Sequence, residues 1–471
     1  MRPEASMSVG WAAALLIVLG YIYYSPSLVR SPNDGSHLAL TKAIVEDHTF
    51  CIDNHFANTS GIDYAVRDGH YYSDRAPGTA FMAAICVALG LDVKTFPALA
   101  GVMVALLSYA LARRWAGVYA SLLTALAVAL GTMVWRYAHL LFSHAPAAML
   151  VLGAVYLALR LGGETRPPRW VAPLFGWAAG FAAATEYQLL VLTPLLAAYV
   201  LACRWRQGGC HALGLLWPAA LTWGLAVSLL TFYHWRCFGS PWHTAYAYRP
   251  NWQESMAWSG DIGEGVRGLL FGGGMVRGLF TLSPVVWLAV WGYALQWRRQ
   301  AAEAALCLGG FVAVLVTIAG HVTWAGGTAQ DTRYLTCVTP LLFLPLGVWI
   351  DRYMTQPSTP ARRFLTEGAF YLLLFFTIGM NGHELFYRYT DSPTGGGLGW
   401  IVLSSFDPIE LYQGLLAGTQ FDTVFWALLG CGAGGALVSW LLTHPRWLPS
   451  LPLGRKITTG GKRQFKEVDR R

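Results

Sequence analysis

Charge is what this sequence has least of. Of its 471 residues only 12% are Asp, Glu, Lys or Arg, against about a quarter in soluble globular domains. Hydrophobic residues make up 55% and the mean hydropathy is +0.43, which excludes an ordinary soluble fold. No polar stretch of about 60 residues separates the apolar runs, so there is no sizeable soluble domain either. The 8 cysteines form no Cys-x-x-Cys or Cys-x-x-His pair, which gives no sign of a zinc module. The glycines at 272–274 lack the Gly-Lys-Ser and strand context of a phosphate loop. Internal repeats and inverted hydropathy symmetry are missing too, which weighs against a secondary transporter. The net charge of +8 and pI near 9.1 are those of loops obeying the positive-inside bias, and a nucleic-acid role is excluded.

What is present is a series of apolar runs of about 20 residues with basic flanks. They predict an all-α polytopic integral membrane protein of about twelve transmembrane helices (11–13), near 7–24, 96–112, 116–134, 141–160, 171–185, 188–203, 213–234, 279–297, 302–321, 335–350, 366–384 and 422–443, both ends cytoplasmic. The run 78–91, about 14 residues, is too short to cross and would put Arg113 and Arg114 outside, so it is expected at the outer interface. Arg166 and Arg169 precede the stretch 171–203 and Arg204 and Arg206 follow it. Basic flanks on both sides require an even number of crossings, hence a hairpin turning near Thr185, Glu186 and Tyr187. The domains follow: a catalytic module over 1–350, further helices over 351–443 with an outer loop at 385–421, and a basic cytoplasmic tail at 444–471.

Polar residues gather outside. The loop 25–77 holds Asp34, Glu46, Asp47, Asp53, Asp63, Asp68 and Asp74 against Arg30, Lys42, Arg67 and Arg75, with four histidines. A loop this long and this ionisable is functional rather than a spacer. Within it, Asn33-Asp34-Gly35-Ser36 followed by Leu38, Leu40, Ile44 and Val45 predicts a short amphipathic helix on the membrane surface, opened by its own cap. Residues 235–278 are expected to form an outer lid, with His243 and Tyr246 near the acceptor entrance. Cys51 and Cys237 both fall outside, and their spacing leaves a disulfide between them open.

Asn33-Asp34-Gly35, then Gly69-His70-Tyr71-Tyr72-Ser73-Asp74-Arg75-Ala76-Pro77-Gly78, then Leu141-Phe142-Ser143-His144 resemble the GT-C superfamily of polyprenyl-phosphate-sugar-dependent glycosyltransferases. Cys237-Phe238-Gly239-Ser240-Pro241, Trp324-Ala325-Gly326-Gly327 and Thr332-Arg333-Tyr334-Leu335 are similar to loops of its bacterial branch, which includes the aminoarabinose and protein O-mannosyl transferases. The resemblance covers roughly residues 5–350. It implies an acidic catalytic base at Asp34 and a metal or lipid-phosphate site at Asp74 and Arg75. Where some members carry a paired acid after the first one and a second acid at the fourth span, this chain has Gly35 and His144.

The chemistry asks for the same parts. Transfer from a polyprenyl-phosphate sugar expels an anionic phosphate, so a strong general acid is unnecessary. The acceptor must instead lose a proton to a carboxylate, and guanidinium groups must hold the phosphate. The expected roles are Asp34 as base and Arg75, Arg333, Tyr334 and Arg136 as phosphate and donor contacts. Asp74, His144 and His243 are expected as supporting groups or ligands of a divalent metal ion, the only cofactor raised. Glu186, an acid at the hairpin tip, is a further candidate. The acceptor is a lipid, a glycan or a protein, and the site lies on the outer face of the cytoplasmic (inner) membrane. The rival expectation is a multi-span transporter or lipid flippase.

Overall fold

The computed structural model describes residues 18–20, 31–250, 258–273, 276–326, 331–356 and 359–389. The span expected at 422–443, the tail 444–471 and nearly all of the span 7–24 and loop 385–421 lie outside the described residues. In chain order the elements are α1 (Pro32–Glu46), β1 (Tyr64–Arg67), β2 (His70–Ser73), α2 (Gly78–Ala88), α3 (Thr95–Ala112), α4 (Val118–Leu130) and α5 (Val134–Tyr137). There follow α6 (His144–Gly163), α7 (Val171–Thr185), α8 (Leu192–Leu213), α9 (Trp217–Phe238), α10 (Ile262–Phe271) and α11 (Leu279–Leu282). The last are α12 (Val286–Ala319), α13 (Thr339–Phe343), α14 (Leu346–Ile350) and α15 (Pro360–Tyr389). Five helices, Thr95–Ala112, His144–Gly163, Tyr187–Gly209, Val286–Ala319 and Pro360–Gly382, are long and apolar enough to cross a membrane by length and composition, and α2, α4 and α7 are shorter apolar helices. The protein is a mostly helical integral membrane protein.

Several expected boundaries coincide with breaks in the chain. Gln300, at φ −144° and ψ 55°, interrupts α12 between the runs expected at 279–297 and 302–321. Gly208 and Gly209 break α8 ahead of α9. The run 335–350 is not one helix: it splits into α13 and α14, with Pro340 in the first turn of α13 and Pro345 capping α14. Proline supplies no backbone N–H and clashes with the preceding turn, so Pro340 is tolerated at the start of α13 while Pro345 stops α13 and opens α14.

Helix α7 lies between α6 and α9. Its Gly176 and Gly180 stand four apart on one face, where a Cβ would meet Ala219 O at 1.9 Å and Ala226 Cβ at 2.9 Å. Small residues at this spacing let apolar helices approach backbone to backbone, which is how bundles gain packing energy without a hydrophobic drive. The turn at 185–187 falls where expected, but α8 packs chiefly against α6 rather than α7, so the two arms are not a close-packed hairpin.

The segment expected as the first outer loop, 25–77, departs most from expectation. Helix α1 is capped by Ser31, whose Oγ accepts the Asp34 N–H at 3.2 Å, so Asp34 sits inside the first turn rather than opening it. Asp34, Ser36, His37 and Thr41 are buried together with Ala39, Leu40 and Ala43. The helix therefore packs inward through a partly polar face, against α2 and residues 53–59, and is not a free surface helix. A hairpin follows, Arg67 facing His70 across Asp68-Gly69, both at positive φ (52° and 82°). Two central left-handed residues match the twist of the flanking strands. Cys51 and Cys237 are both free thiols, Cys237 being buried in α9.

At Gly35 a Cβ would stand 1.7 Å from Asn58 O. Gly35→Ala should lower the unfolding temperature in detergent by several degrees, because backbone on both sides must shift. Gly153→Ala, where nothing lies within 4 Å, should leave it unchanged or raise it slightly.

Candidate active site

The site is built from element ends. Asn33 stands in the first turn of α1, Arg75 follows β2, His144 opens α6, and Glu186 ends α7. Arg333 and Tyr334 form a short 3-10 turn, Arg333–Leu335. These six line one cavity of about 340 Å3, together with residues that include Tyr187, Gln188, Tyr246, Trp258 and His321. That volume is at the lower end of the range for small-molecule sites.

Arg75 is fixed by acids. Its guanidinium bonds to Asp63 and lies 3.2 Å from Asp74 Oδ1, while Arg249 reaches Asp63 Oδ1 at 3.3 Å and Asp74 Oδ2 at 2.8 Å. The four side chains form a closed ring of alternating charge, with Asp74 wholly buried and also accepting from Ser36 Oγ at 3.1 Å. The Asn33 amide oxygen, oriented to suit its neighbours, accepts from Arg75 Nε at 3.2 Å. Burial would lower the Arg75 pKa, but Asp74 and Asp63 outweigh it and hold it above the usual guanidinium value. His37, one turn further along α1, is driven down to about 3 by burial and by Arg75, and so stays neutral.

Arg333 differs. Its Nη2 lies 3.4 Å from Tyr334 Oη, its guanidinium stands 5.1 Å from the Tyr334 ring centre, and its Nε has no partner among the described residues. It is therefore a cation with donors to spare. Its backbone is held from behind: Asp331 Oδ1 accepts the Arg333 N–H at 3.0 Å, and Asp331 Oδ2 takes Arg136 Nη1 at 3.0 Å and Tyr137 Oη at 2.9 Å. Arg136 and Asp331 are both 1% exposed. Asp331 thus pairs with Arg136 inside the protein, and meets Arg333 through the Arg333 backbone N–H.

The carboxylate that lines the cavity is Glu186. It accepts from Ser143 Oγ and from Gln188 Nε2 at 2.7 Å, and His144 Nδ1 lies 2.8 Å away. Burial would raise its pKa, but His144, Ser143 and Gln188 pull it down to about 2. Asp34 does not line the cavity. Its Oδ1 accepts the Leu141 N–H at 2.6 Å and its Oδ2 accepts from Ser31 Oγ at 2.9 Å, which ties α1 to the segment leading into Ser143 and His144.

Of the expected site residues, the structure thus brings Arg75, His144, Arg333 and Tyr334 together, and sets Asp34, Asp74 and Arg136 in the supporting layer. His243 is exposed, 3.1 Å from Tyr248 Oη, and is not among the cavity's lining residues. Asp74, His144 and His243 do not form a ligand set, since ion pairs or hydrogen bonds to separate partners hold each of them. Among the described residues, one group of three metal-ligating side chains has its ligand atoms within 4.8 Å of one another: Cys51, Asp53 and His70. Sequence reasoning missed Arg249. Nothing in the loop spacing marks that residue as the partner of an acid 186 positions earlier.

No protein-family model matches the chain, and no curated protein does. Solved structures do. ArnT from Cupriavidus metallidurans bound to undecaprenyl phosphate superposes with a TM-score of 0.53 at 16% identity, over 93% of this chain and 77% of that one. The Archaeoglobus fulgidus oligosaccharyltransferase in complex with Zn and sulfate gives a TM-score of 0.53 at 12% identity, over 80% of this chain. The present chain spans about half of that protein, 54%. Both are GT-C glycosyltransferases, and the fold of this chain is the GT-C fold.

Removing one member of the charge ring leaves a buried ion without its counter-charge, which costs about 3–5 kcal/mol. Arg249→Ala should therefore lower the unfolding temperature more than Arg160→Ala, which loses the i,i+4 pair with Glu164, worth about 0.3–0.5 kcal/mol, and the contact over the Trp170 ring at 5.3 Å, worth about 0.5–1 kcal/mol. A second expectation concerns pH. A depressed carboxylate stabilises the fold fully above its unfolded pKa of 4.5 and loses that contribution as pH falls through about 2. Glu186→Gln should flatten this part of the acid stability curve, measured as unfolding midpoint between pH 5 and pH 2.

Proposed function

We propose that this chain is a membrane glycosyltransferase that moves a sugar from a polyprenyl-phosphate donor to an acceptor at the extracytoplasmic face of the cytoplasmic membrane, with inversion in a single displacement. The observation that carries the reading is a cavity in a GT-C fold lined by two guanidinium groups, Arg75 and Arg333, and by one carboxylate, Glu186. Bound undecaprenyl phosphate in the similar ArnT supports the same donor class.

The two arginines have different work. Arg333, with donors free, contacts the phosphate directly. Arg75, locked by Asp63 and Asp74, supplies a fixed charge that need not reorganise as the phosphate gains negative charge on leaving. The acceptor oxygen or nitrogen attacks the anomeric carbon from the opposite side, the bond to the phosphate oxygen breaks, and the acceptor proton passes to a carboxylate.

By its family position Asp34 is that base. Hydrogen bonds that a base makes without substrate are often rearranged in the reacting complex, so its bond to Ser31 Oγ is one the acceptor can displace. One specific observation favours a second assignment: Glu186 already faces the cavity. A low pKa makes it a weak base and a good anionic partner for positive charge developing on the sugar ring.

The test is release and transfer of sugar from radiolabelled polyprenyl-phosphate sugar by purified protein in detergent. Asp34→Asn should fold and insert normally yet lose about 10²–10⁴-fold in rate, with Glu186→Gln retaining more activity; the opposite order moves the base to Glu186. Arg333→Ala should raise KM for the lipid donor. A wild-type chain that releases no sugar from any such donor but moves lipid between leaflets would be a flippase, and the proposal would fail.

A further inference from the structure

Cys51, Asp53 and His70 have no part in the transfer chemistry, and they sit together on the outer loop. Residues 51–53 run beside the hairpin almost as a third strand: Ile52 N–H donates to Tyr71 O at 2.9 Å, and Asp53 Oδ1 accepts the Tyr71 N–H at 2.7 Å. That second bond fixes the carboxylate and turns Oδ2 toward His70 Nδ1, 2.7 Å away, while Cys51 Sγ lies 3.7 Å from the same nitrogen. Three different ligand atoms, one thiol, one imidazole and one carboxylate, thus converge on a point open to solvent. Backbone pairing holds their chain segments in place before any ligand arrives.

We propose that this cluster is a binding site for a divalent transition-metal ion of the zinc type, with water as the fourth ligand. Metal–sulfur and metal–nitrogen distances near 2.3 Å and 2.0–2.1 Å give a tetrahedral S···N edge of about 3.6 Å, close to the 3.7 Å observed. The same geometry needs an N···O edge of about 3.3 Å, so the Asp53–His70 contact must widen by about 0.6 Å from 2.7 Å. With Asp53 held by the Tyr71 N–H, the His70 side chain, 58% exposed, supplies that movement by rotating about its own side-chain bonds.

The protonation balance is definite. An ordinary thiol is protonated at neutral pH, so Cys51 Sγ carries a proton in the unbound site. Metal binding releases that proton to solvent, and the histidine takes its proton on Nε2 so that Nδ1 presents a lone pair. The bound ion would clamp residues 51–53 to the hairpin ahead of Asp74 and Arg75. It would do so without touching the cavity, since none of the three residues lines it.

The full-length protein in detergent, stripped with a chelator under reducing conditions, is titrated with cobalt(II). Uptake of one equivalent per chain with a thiolate-to-cobalt charge-transfer absorption, bleached by zinc, is the expected result. Cys51→Ser should abolish the absorption and His70→Gln should weaken binding at least tenfold, while the metal-free unfolding temperature of each equals that of the metal-free wild type. No absorption in a folded wild type, or one that survives Cys51→Ser, overturns the proposal.

Discussion

Burial of Asp74 is the constraint around which the cavity end of this protein is arranged. A carboxylate taken wholly out of water requires counter-charge with good geometry, and two guanidinium groups supply it from distant parts of the chain. Asp63 closes the ring between Arg75 and Arg249, so each cation touches both acids. The hairpin, the start of α2 and the segment after α9 are thereby held in one register. Arg75 consequently reaches the cavity with its position and charge already set, which is what electrostatic catalysis asks of a group that must not reorganise.

Arg333 is set by a parallel device. The buried Arg136–Asp331 pair satisfies its own charges and spends its remaining acceptor on the Arg333 backbone, leaving that guanidinium open to a ligand. The cavity thus combines one cation whose donors are engaged by protein acids with one whose donors are open. Glu186, Ser143, His144 and Gln188 line the same cavity, and the low pKa of Glu186 keeps a negative charge in it.

Much of this was legible in the sequence because it depends on local properties. Apolar runs marked most helices, and the order of short motifs pointed to Arg75, His144, Arg333 and Tyr334, whereas the prolines at 340 and 345 that split the span expected at 335–350 went unread. Asp68-Gly69 is a hairpin signal in plain view. What could not be read is long-range pairing. Arg249 looks like any loop arginine, Asp331 looks like a surface acid, and Asp34 looks like a helix cap until Ser31 is seen to hold that place. Whether a polar residue faces a cavity or supports its wall depends on contacts over a hundred residues apart, as Leu141 with Asp34 illustrates.

The central claim is that an anionic lipid headgroup docks between Arg333 and Arg75. A structure of the protein with a polyprenyl monophosphate tests it most directly. The phosphate oxygens should lie within hydrogen-bonding distance of Arg333 Nε or its Nη atoms, with Arg75 still bonded to Asp63 and Asp74. A headgroup found elsewhere, with Arg333 and Arg75 untouched, would contradict the account.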